Sequence, residues 1–223
     1  MDLRADPNDA TAFFVNRNFP LRRSERRLFK PYGLERPQYV EDRVPSAQTC
    51  FEAGLGTLAA DGFSDRVAIP ITNVEGLLVG FAGRRFDDVE RADRYIYWPG
   101  RFEKSLELYN LHRHAEHCRR VPCDPQTIIV VPGFFDVYHF SGTTLPLTVA
   151  TMGYQLSVSQ TALLKKFART VIVACPATPD GERLAESCRA RLGHDISVSV
   201  RMFGPFHIEG ARPGRWLERF LLG

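Results

Sequence analysis

Short apolar runs in the second half of the chain alternate with segments of helical character. The runs are IIVV (128–131), LTVATM (147–152), TVIVAC (170–175) and ISVSVRMF (196–203). Their length and their Val and Ile content predict buried strands. This alternation constrains the fold more than any other feature, because strands separated by helices pair in parallel through right-handed crossovers.

The segments between the runs carry helix signals. They are FDVYHF (135–140), SQTALLKKFA (159–168) and DGERLAESCRARL (180–192). We expect Ser157 or Ser159 to cap the second helix, and Asp180 to cap the third, which stops at Gly193. The sequence therefore predicts an α/β fold, with a Rossmann-type parallel sheet and helices on both of its faces.

The first half of the chain has a different pattern. RVAIPI (66–71) and GLLVGFAG (76–83) flank a short polar turn and predict an antiparallel hairpin. We expect a further strand at YIYW (95–98) and a helix at 105–120. The chain is predicted to contain a basic lead-in with weak order signals, a mixed α+β subdomain, a parallel-sheet subdomain and a tail helix, at residues 1–45, 46–124, 125–205 and 206–223.

Charge and cysteine usage exclude several classes of protein. The formal net charge is only +3, so the overall composition does not indicate a nucleic-acid-binding protein, although arginines crowd near the N-terminus. Five cysteines without a Cys-x-x-Cys pair do not predict a disulfide framework. We find no secretory signal pattern and no apolar run long enough to span a bilayer. These features predict a cytoplasmic protein that has no membrane partner.

Several segments resemble, in the same order, the catalytic core of bacterial-type DNA primases, over roughly Val67 to Phe203. RVAIPITNVEGLLVGFAGRRF resembles the primase N-terminal hairpin, and RYIYWPGRFEKSLELYNLHRH resembles the stretch after it. VVPGFFDV resembles the first motif of the Toprim domain, normally Glu-Gly-x-x-Asp. VATMGYQLSVSQTALLKKFARTVIVAC resembles the strand, helix and strand that follow. The zinc-binding and helicase-binding domains of primases are not recognisable in this sequence.

The resemblance implies a Mg²⁺ site whose acids this sequence has lost. Toprim domains place a glutamate at the tip of the first strand as general acid/base, and an Asp-x-Asp pair after the third strand to hold Mg²⁺. The corresponding positions here are Pro132 and Pro176-Ala177-Thr178. Because these residues cannot replace carboxylates, the resemblance implies a degenerate, catalytically inactive site for which no cofactor is expected.

Three remaining acids keep an alternative open. Asp136 is either a relic metal ligand or a residue that starts a helix. Asp180 and Glu182 are either a shifted metal site or acids at a helix N-terminus. Together with Glu209 they could form a rebuilt site that uses Mg²⁺ for primer synthesis or nucleic-acid cleavage.

A mid-chain group of basic side chains contains the candidates for nucleic-acid binding, because such groups can contact phosphate. They are Arg84, Arg85, Arg101 and Lys104. The resemblance places two of them, Arg84 and Lys104, along a primase groove. The alternative for these side chains is a solvated basic surface.

A separate group of side chains has the chemistry of a zinc site. It consists of His114, His117, Cys118 and Cys123. The spacing matches no standard zinc signature, and an exposed polar helix end explains it as well, so zinc is only a weak candidate.

Three functions are compatible with the sequence. The first is an inactive primase-like protein that binds DNA or RNA within a replication, mobile-element or defence complex. The second is an active metal-dependent primase or nuclease with rearranged acids. The third is a structural subunit that binds protein through the apolar tail, with Trp216, Phe220 and Leu221, or through the arginine-rich lead-in. The loss of both acid positions favours the first function.

Overall fold

The computed structural model describes residues 18–33, 35–87, 93–120, 126–140 and 147–204. These residues form a 5-stranded antiparallel sheet, followed along the chain by a 4-stranded parallel sheet. None of the helices in these ranges is both long enough and apolar enough to cross a membrane. The predicted combination of a mixed first half and an α/β second half is confirmed.

The antiparallel sheet is a meander in which the strands pair in sequence order. Its strands are β1 (Phe29–Pro31), β2 (Gly56–Leu58), β3 (Arg66–Thr72), β4 (Leu78–Arg85) and β5 (Tyr95–Trp98). The helices that precede β2 are α1 (Arg23–Arg26), α2 (Gln38–Arg43) and α3 (Ala47–Ala53).

The predicted hairpin consists of strands β3 and β4, in which Val67 lies opposite Arg84. Gly76 has a φ of 86° in the connecting turn, a left-handed conformation that glycine adopts without strain. The Asn73 side chain closes the turn by accepting a hydrogen bond from the Leu77 N–H at 2.9 Å. The hairpin and the further strand at YIYW are therefore confirmed.

The described part of the lead-in, residues 18–33 and 35–45, is more ordered than the sequence predicted. Strand β1 pairs with β2, and the Leu21 N–H donates to the Leu78 carbonyl at 2.8 Å. Leu21, Val40 and Val44 are buried. These apolar side chains are separated by prolines and charged residues and follow no regular period, so the sequence pattern does not predict their packing.

The parallel sheet has the strand order β7-β6-β8-β9. Its strands are β6 (Gln126–Val131), β7 (Thr148–Ala150), β8 (Ala168–Pro176) and β9 (Ser197–Phe203). The helices of this half are α4 (Leu111–Arg120), α5 (Phe134–Phe140), α6 (Val158–Phe167) and α7 (Pro179–Leu192).

Successive residues of the central strands face opposite sides of the parallel sheet. On one side, Ile129 and Val131 pack in a buried cluster with residues of β3 and helix α5. On the other side, Ile128 and Val130 pack in a second cluster with residues of helices α6 and α7. Both faces are covered, which explains why these strands form continuous apolar runs in the sequence.

The helix predicted at 105–120 begins six residues later, at Leu111. Lys104–Leu106 forms a single 3₁₀ turn instead, and Tyr109 makes an antiparallel bridge with Ala150 of β7. Asn110 has a φ of 71°, which is incompatible with a right-handed helix. The segment thus covers the outer edge of β7 before the helix starts.

The cap of helix α7 also differs from the prediction. Thr178, and not Asp180, is the cap, and its side chain accepts a hydrogen bond from the Gly181 N–H. Pro179 occupies the first helical position, which proline favours, so the residue before it becomes the cap. For helix α6, one of the two predicted caps, Ser157, is confirmed.

We predict that Gly181→Ala lowers the free energy of unfolding by about 2 kcal/mol. A Cβ at this position would lie 1.9 Å from the carbonyl oxygen of Pro176, a backbone atom that cannot rotate away. Gly100→Ala is the control, because a Cβ there meets no atom within 4 Å. Urea denaturation measures both changes, and equal stability of the two variants would contradict the close approach of α7 to β8.

Candidate functional site

The carboxyl ends of the parallel strands meet at one edge of the sheet. Strand β6 ends at Val131, next to Ala150 at the end of β7. Strand β8, which pairs with the other side of β6, ends at Pro176. Ligands of open α/β sheets bind at this edge. The structure therefore brings together the two strand ends at which the resemblance leads us to expect acids.

Pro132 is buried at the tip of β6 and is held by the neighbouring loop. Its carbonyl accepts a hydrogen bond from the Gly153 N–H at 3.1 Å, and the Val131 carbonyl accepts one from the Thr151 N–H at 3.0 Å. The strand tip is thus fixed by backbone hydrogen bonds, which need no acidic side chain.

Asp136 starts helix α5. Its Oδ2 accepts a hydrogen bond from the Gly133 N–H at 2.9 Å, which is the reciprocal half of a capping box at the third helical position. The helix-start interpretation of Asp136 thus has a direct structural basis.

The second acid position, Pro176-Ala177-Thr178, forms the entry to helix α7. The Ala177 N–H donates to the Phe203 carbonyl of β9, and the Thr178 N–H donates to the Pro176 carbonyl, both at 2.8 Å. The Thr178 hydroxyl is used as the helix cap, at 3.3 Å from the Gly181 nitrogen. The segment is a structural connection between β8, β9 and α7.

These residues do not fit a Mg²⁺ site of the Toprim kind. Mg²⁺ requires oxygen ligands in near-octahedral geometry, usually from one or more carboxylates. Asp180 forms an ion pair with Arg183, and Glu182 is exposed. Within the described ranges, His, Cys, Asp and Glu side chains do not form any group of three that could hold a metal ion. The structure therefore does not assemble Asp136, Asp180 and Glu182 into such a group, and Glu209 lies outside the described residues.

The weak zinc candidate stays a prediction. His114, His117 and Cys118 belong to helix α4, but their side chains are not among those described, and Cys123 lies outside the described residues. The apolar tail that was predicted to bind protein also lies outside them.

Arg84 lies in the interior, with 1% of its surface exposed. Its Nη1 donates to the carbonyls of Arg85 and Asp87 at 2.9 and 3.0 Å. Its guanidinium lies 5.4 Å from the ring centroids of both Tyr39 and Tyr95. Burial raises the pKa of Tyr95, while the positive charge of Arg84 opposes that rise. This geometry gives Arg84 a role at the junction of the two sheets.

Arg85 and Arg101 both pair with carboxylates of the chain itself. Arg85 contacts Asp65 and Asp87, each at 3.0 Å. Arg101 binds both oxygens of Glu25, at 2.7 and 2.8 Å, and this contact lowers the pKa of Glu25 to about 2. Nucleic-acid binding by either arginine would have to compete with these pairs.

Lys104 lies beside the carboxyl edge of the parallel sheet. Its Nζ donates to the Met152 carbonyl at 3.1 Å and lies 5.6 Å from the ring centroid of Tyr97. Met152 has a φ of 59°, so the loop after β7 turns sharply at the residue that Lys104 holds. Among the four predicted cations, Lys104 is the one that the structure places both on the surface and next to this edge.

Glu107 is a site residue that sequence reasoning missed. It is 5% exposed, and its carboxylate accepts a hydrogen bond from Asn18 Nδ2 at 3.1 Å. Burial raises the pKa of Glu107 to about 7, the Asn18 hydrogen bond opposes the rise, and the charge of Glu75 adds to it. The sequence contains no signal for this, because Glu107 lies in a stretch that resembles an ordinary amphipathic helix.

The Gln160 amide fixes the segment that carries Lys104 and Glu107. Its Nε2 donates to the carbonyls of Glu107 and Thr151 at 2.8 and 2.9 Å, and Gln160 is 1% exposed. A buried amide with several backbone partners holds a fixed orientation. The 3₁₀ turn, the loop after β7 and helix α6 therefore form one rigid corner.

Comparison with known proteins identifies two domains in the chain. Residues 31–115 match the model of the DNA primase catalytic core, N-terminal domain, and residues 126–201 match the model of the Toprim domain.

The curated relatives include DNA primases from two bacteria. The chain is 28% identical to that of Aquifex aeolicus over 162 residues, which is 72% of this chain and 31% of that protein. It is 31% identical to that of Staphylococcus epidermidis over 171 residues, which is 73% of this chain and 28% of that protein. The chain thus spans about a third of the length of these relatives or less.

Solved primase structures share the fold. The RNA polymerase domain of Mycobacterium tuberculosis primase, in complex with double-stranded DNA, aligns with a TM-score of 0.66 and 18% identity, over 83% of this chain and 72% of that chain. A primase catalytic domain bound to single-stranded DNA aligns with a TM-score of 0.58 and 18% identity, over 82% of this chain and 68% of that chain.

We predict that Glu107→Gln removes a pH-dependent loss of stability. Because the pKa of Glu107 rises from 4.5 to about 7 on folding, the folded state binds the extra proton, and stability falls as pH rises between these values. At pH 8 the variant should be more stable than the wild type by up to about 3 kcal/mol, with no such gain at pH 4. Urea denaturation across this range measures the difference.

The control for this experiment is Glu103→Gln, which changes an exposed carboxylate on the same segment. Because this side chain is exposed, its replacement removes no buried carboxylate and should not give the gain in stability at pH 8 that is expected of Glu107→Gln. If Glu107→Gln and the wild type keep a constant stability difference from pH 4 to pH 8, Glu107 is not a buried acid of this kind.

Proposed function

Since the chain belongs to the bacterial-type DNA primase catalytic-core family, with a primase N-terminal domain followed by a Toprim domain, we propose that it is a catalytically inactive member that binds nucleic acid. It acts as an accessory subunit of a cytoplasmic DNA replication, mobile-element or defence complex, and DNA or RNA is its ligand.

The observation that carries the inactive assignment is the combined replacement of acids at one edge of the sheet. The resemblance assigns Pro132 to the position of the general acid/base, and Pro176 and Thr178 to the positions of the metal-binding pair. All three have structural partners: the β7–α6 loop, β9 and helix α7. Metal-assisted phosphoryl transfer needs carboxylates that hold the ion beside the phosphate, and these residues do not supply them.

Two considerations support nucleic-acid binding. Primase cores of the same fold have been solved in complex with single-stranded and double-stranded DNA. In this chain, Lys104 is an exposed cation at the carboxyl edge, and a lysine ammonium beside an α/β edge suits contact with a phosphate. The attraction between the Lys104 ammonium and a phosphate does not depend on the catalytic acids, so an inactive protein keeps it.

We predict that the wild-type protein makes no primer on a single-stranded template with Mg²⁺ or Mn²⁺, and that Pro132→Glu alone restores none. One carboxylate cannot replace the missing metal-binding pair at 176–178. Incorporation of labelled nucleotides measures synthesis, and the Staphylococcus epidermidis DNA primase is the positive control. Product from the wild type that disappears in Asp136→Ala or Asp180→Ala would establish the alternative, an active enzyme with rearranged acids.

We predict salt-dependent binding of a fluorescein-labelled oligothymidylate. Lys104→Gln should weaken binding and reduce the slope of log K against log salt concentration by about 0.7, the contribution of one phosphate contact to a single strand. Lys165→Gln is the control, because Lys165 pairs with Asp195 on the surface at 2.5 Å. Fluorescence anisotropy measures the affinity, and absence of binding at low salt would exclude the nucleic-acid role.

A further inference from the structure

A cleft of about 600 Å³ lies where the loop between β7 and α6 meets helix α7. Lys104, Arg183 and Arg191 line it, together with Tyr154 and several polar residues. In the part of the chain that the structure describes, the side chains that line this cleft include three cations and no acid. Such an imbalance creates a local positive potential that a net charge of +3 does not reveal.

The cleft is built by a hydrogen-bonded contact between the loop and the helix. The Leu156 N–H donates to the Ser187 hydroxyl at 3.0 Å, which fixes the loop against the middle of α7. Arg183 and Arg191 lie four residues before and four residues after Ser187, so all three share one face of the helix. The two arginines therefore flank the point at which the loop is fixed.

The cations have capacity for an additional anion. Lys104 uses one of the three donors of its ammonium on the Met152 carbonyl. Arg183 pairs with Asp180, but its side chain is 61% exposed, and an exposed pair of this kind contributes little. Arg191 is exposed and forms no ion pair with another described residue.

The shape of the cleft suits an extended anion. Arg183 and Arg191 are two helical turns apart, which corresponds to about 12 Å along the axis. Lys104 and Ser157, at the start of helix α6, line the same cleft, and the N-terminus of a helix also favours negative charge. Tyr154, which is 38% exposed, presents an aromatic ring at the same cleft, and such rings stack on nucleobases.

We propose that this cleft binds the phosphate esters of a nucleic-acid strand, which passes Lys104 and follows helix α7 along Arg183 and Arg191. This proposal rests on the proposed function and gives the strand a path over the Toprim half of the chain. It adds two arginines and Tyr154 to the candidate binding residues, and none of the three was among those that the sequence predicted.

The experiment compares two double variants with the same change in net charge. Arg183→Glu/Arg191→Glu reverses the two arginines of the cleft. Arg169→Glu/Arg189→Glu, the control, reverses two exposed arginines that do not line it, one of them on the same helix. Binding of the fluorescein-labelled oligothymidylate and of fluorescein-labelled ATP is measured by anisotropy across salt concentrations, and thermal unfolding verifies that both variants are folded.

We expect the cleft variant to bind the oligonucleotide at least tenfold more weakly than the control variant does. For the cleft variant, the magnitude of the slope of log K against log salt concentration should be about 1.4 smaller than for the wild type, since two phosphate contacts to a single strand are lost. If ATP binding falls in the cleft variant and oligonucleotide binding does not, the cleft binds the phosphates of a free nucleotide. The proposed path of the strand is then wrong.

Two results overturn the cleft proposal while the proposed function stands. The first is a cleft variant that binds the oligonucleotide and ATP as tightly as the wild type does. The second is an equal loss of oligonucleotide affinity in both double variants, which would be an effect of net charge alone. Conversely, a wild-type protein that binds ATP through the cleft but no oligonucleotide refutes the proposed function and, with it, the path of the strand, and leaves only a site for the phosphates of a nucleotide. A wild-type protein that binds neither probe refutes both.

Discussion

The structure depends on a hydrophobic cluster that the two sheets share. Ile69 and Ile71 of β3 belong to the same buried cluster as Ile129 and Val131 of β6, so one face of the parallel sheet packs with the antiparallel sheet. Burial of four such side chains contributes on the order of 8 kcal/mol relative to exposure. Neither sheet could move away without exposing this surface. The placement of the two sheets relative to each other is therefore a consequence of core packing.

The carboxyl edge shows how the strand ends of a Toprim-like sheet are held in place without acidic side chains at the tips of β6 and β8. In an α/β sheet the strand ends are positioned by main-chain pairing and by the helices that follow, so their position requires no acids. Pro132 ends β6 without a donor, and its carbonyl is bound by Gly153. Thr178 supplies a helix cap at a position where the resemblance expects a metal ligand. The residues at both positions are held by hydrogen bonds to neighbouring parts of the chain, so they contribute to the stability of this edge.

Periodic features of the chain could be predicted from the sequence, and features that depend on distant contacts could not. The strand and helix alternation, the hairpin at 66–83 and the Ser157 cap follow from local patterns. The Thr178 cap could also have been predicted, since Pro179 marks the first helical position and the residue before it is the cap. Asp180 was chosen because aspartate is a preferred cap residue. The burial of Arg84 and Glu107 could not be predicted from the sequence, because it depends on distant contacts. Two aromatic rings lie beside Arg84, and Asn18, which binds Glu107, lies 89 residues from it.

The burial of Arg84 has a consequence for the divergence of this protein family. A guanidinium stays charged at any pH at which the protein is folded, so its enclosure requires carbonyl and aromatic partners on several segments. Tyr39 and Tyr95, on different elements, supply the rings. Lysine offers neither the planar stacking surface nor the forked donors, so a relative with lysine or an apolar residue at position 84 should also differ at one of these tyrosines. The three positions are expected to change together during evolution.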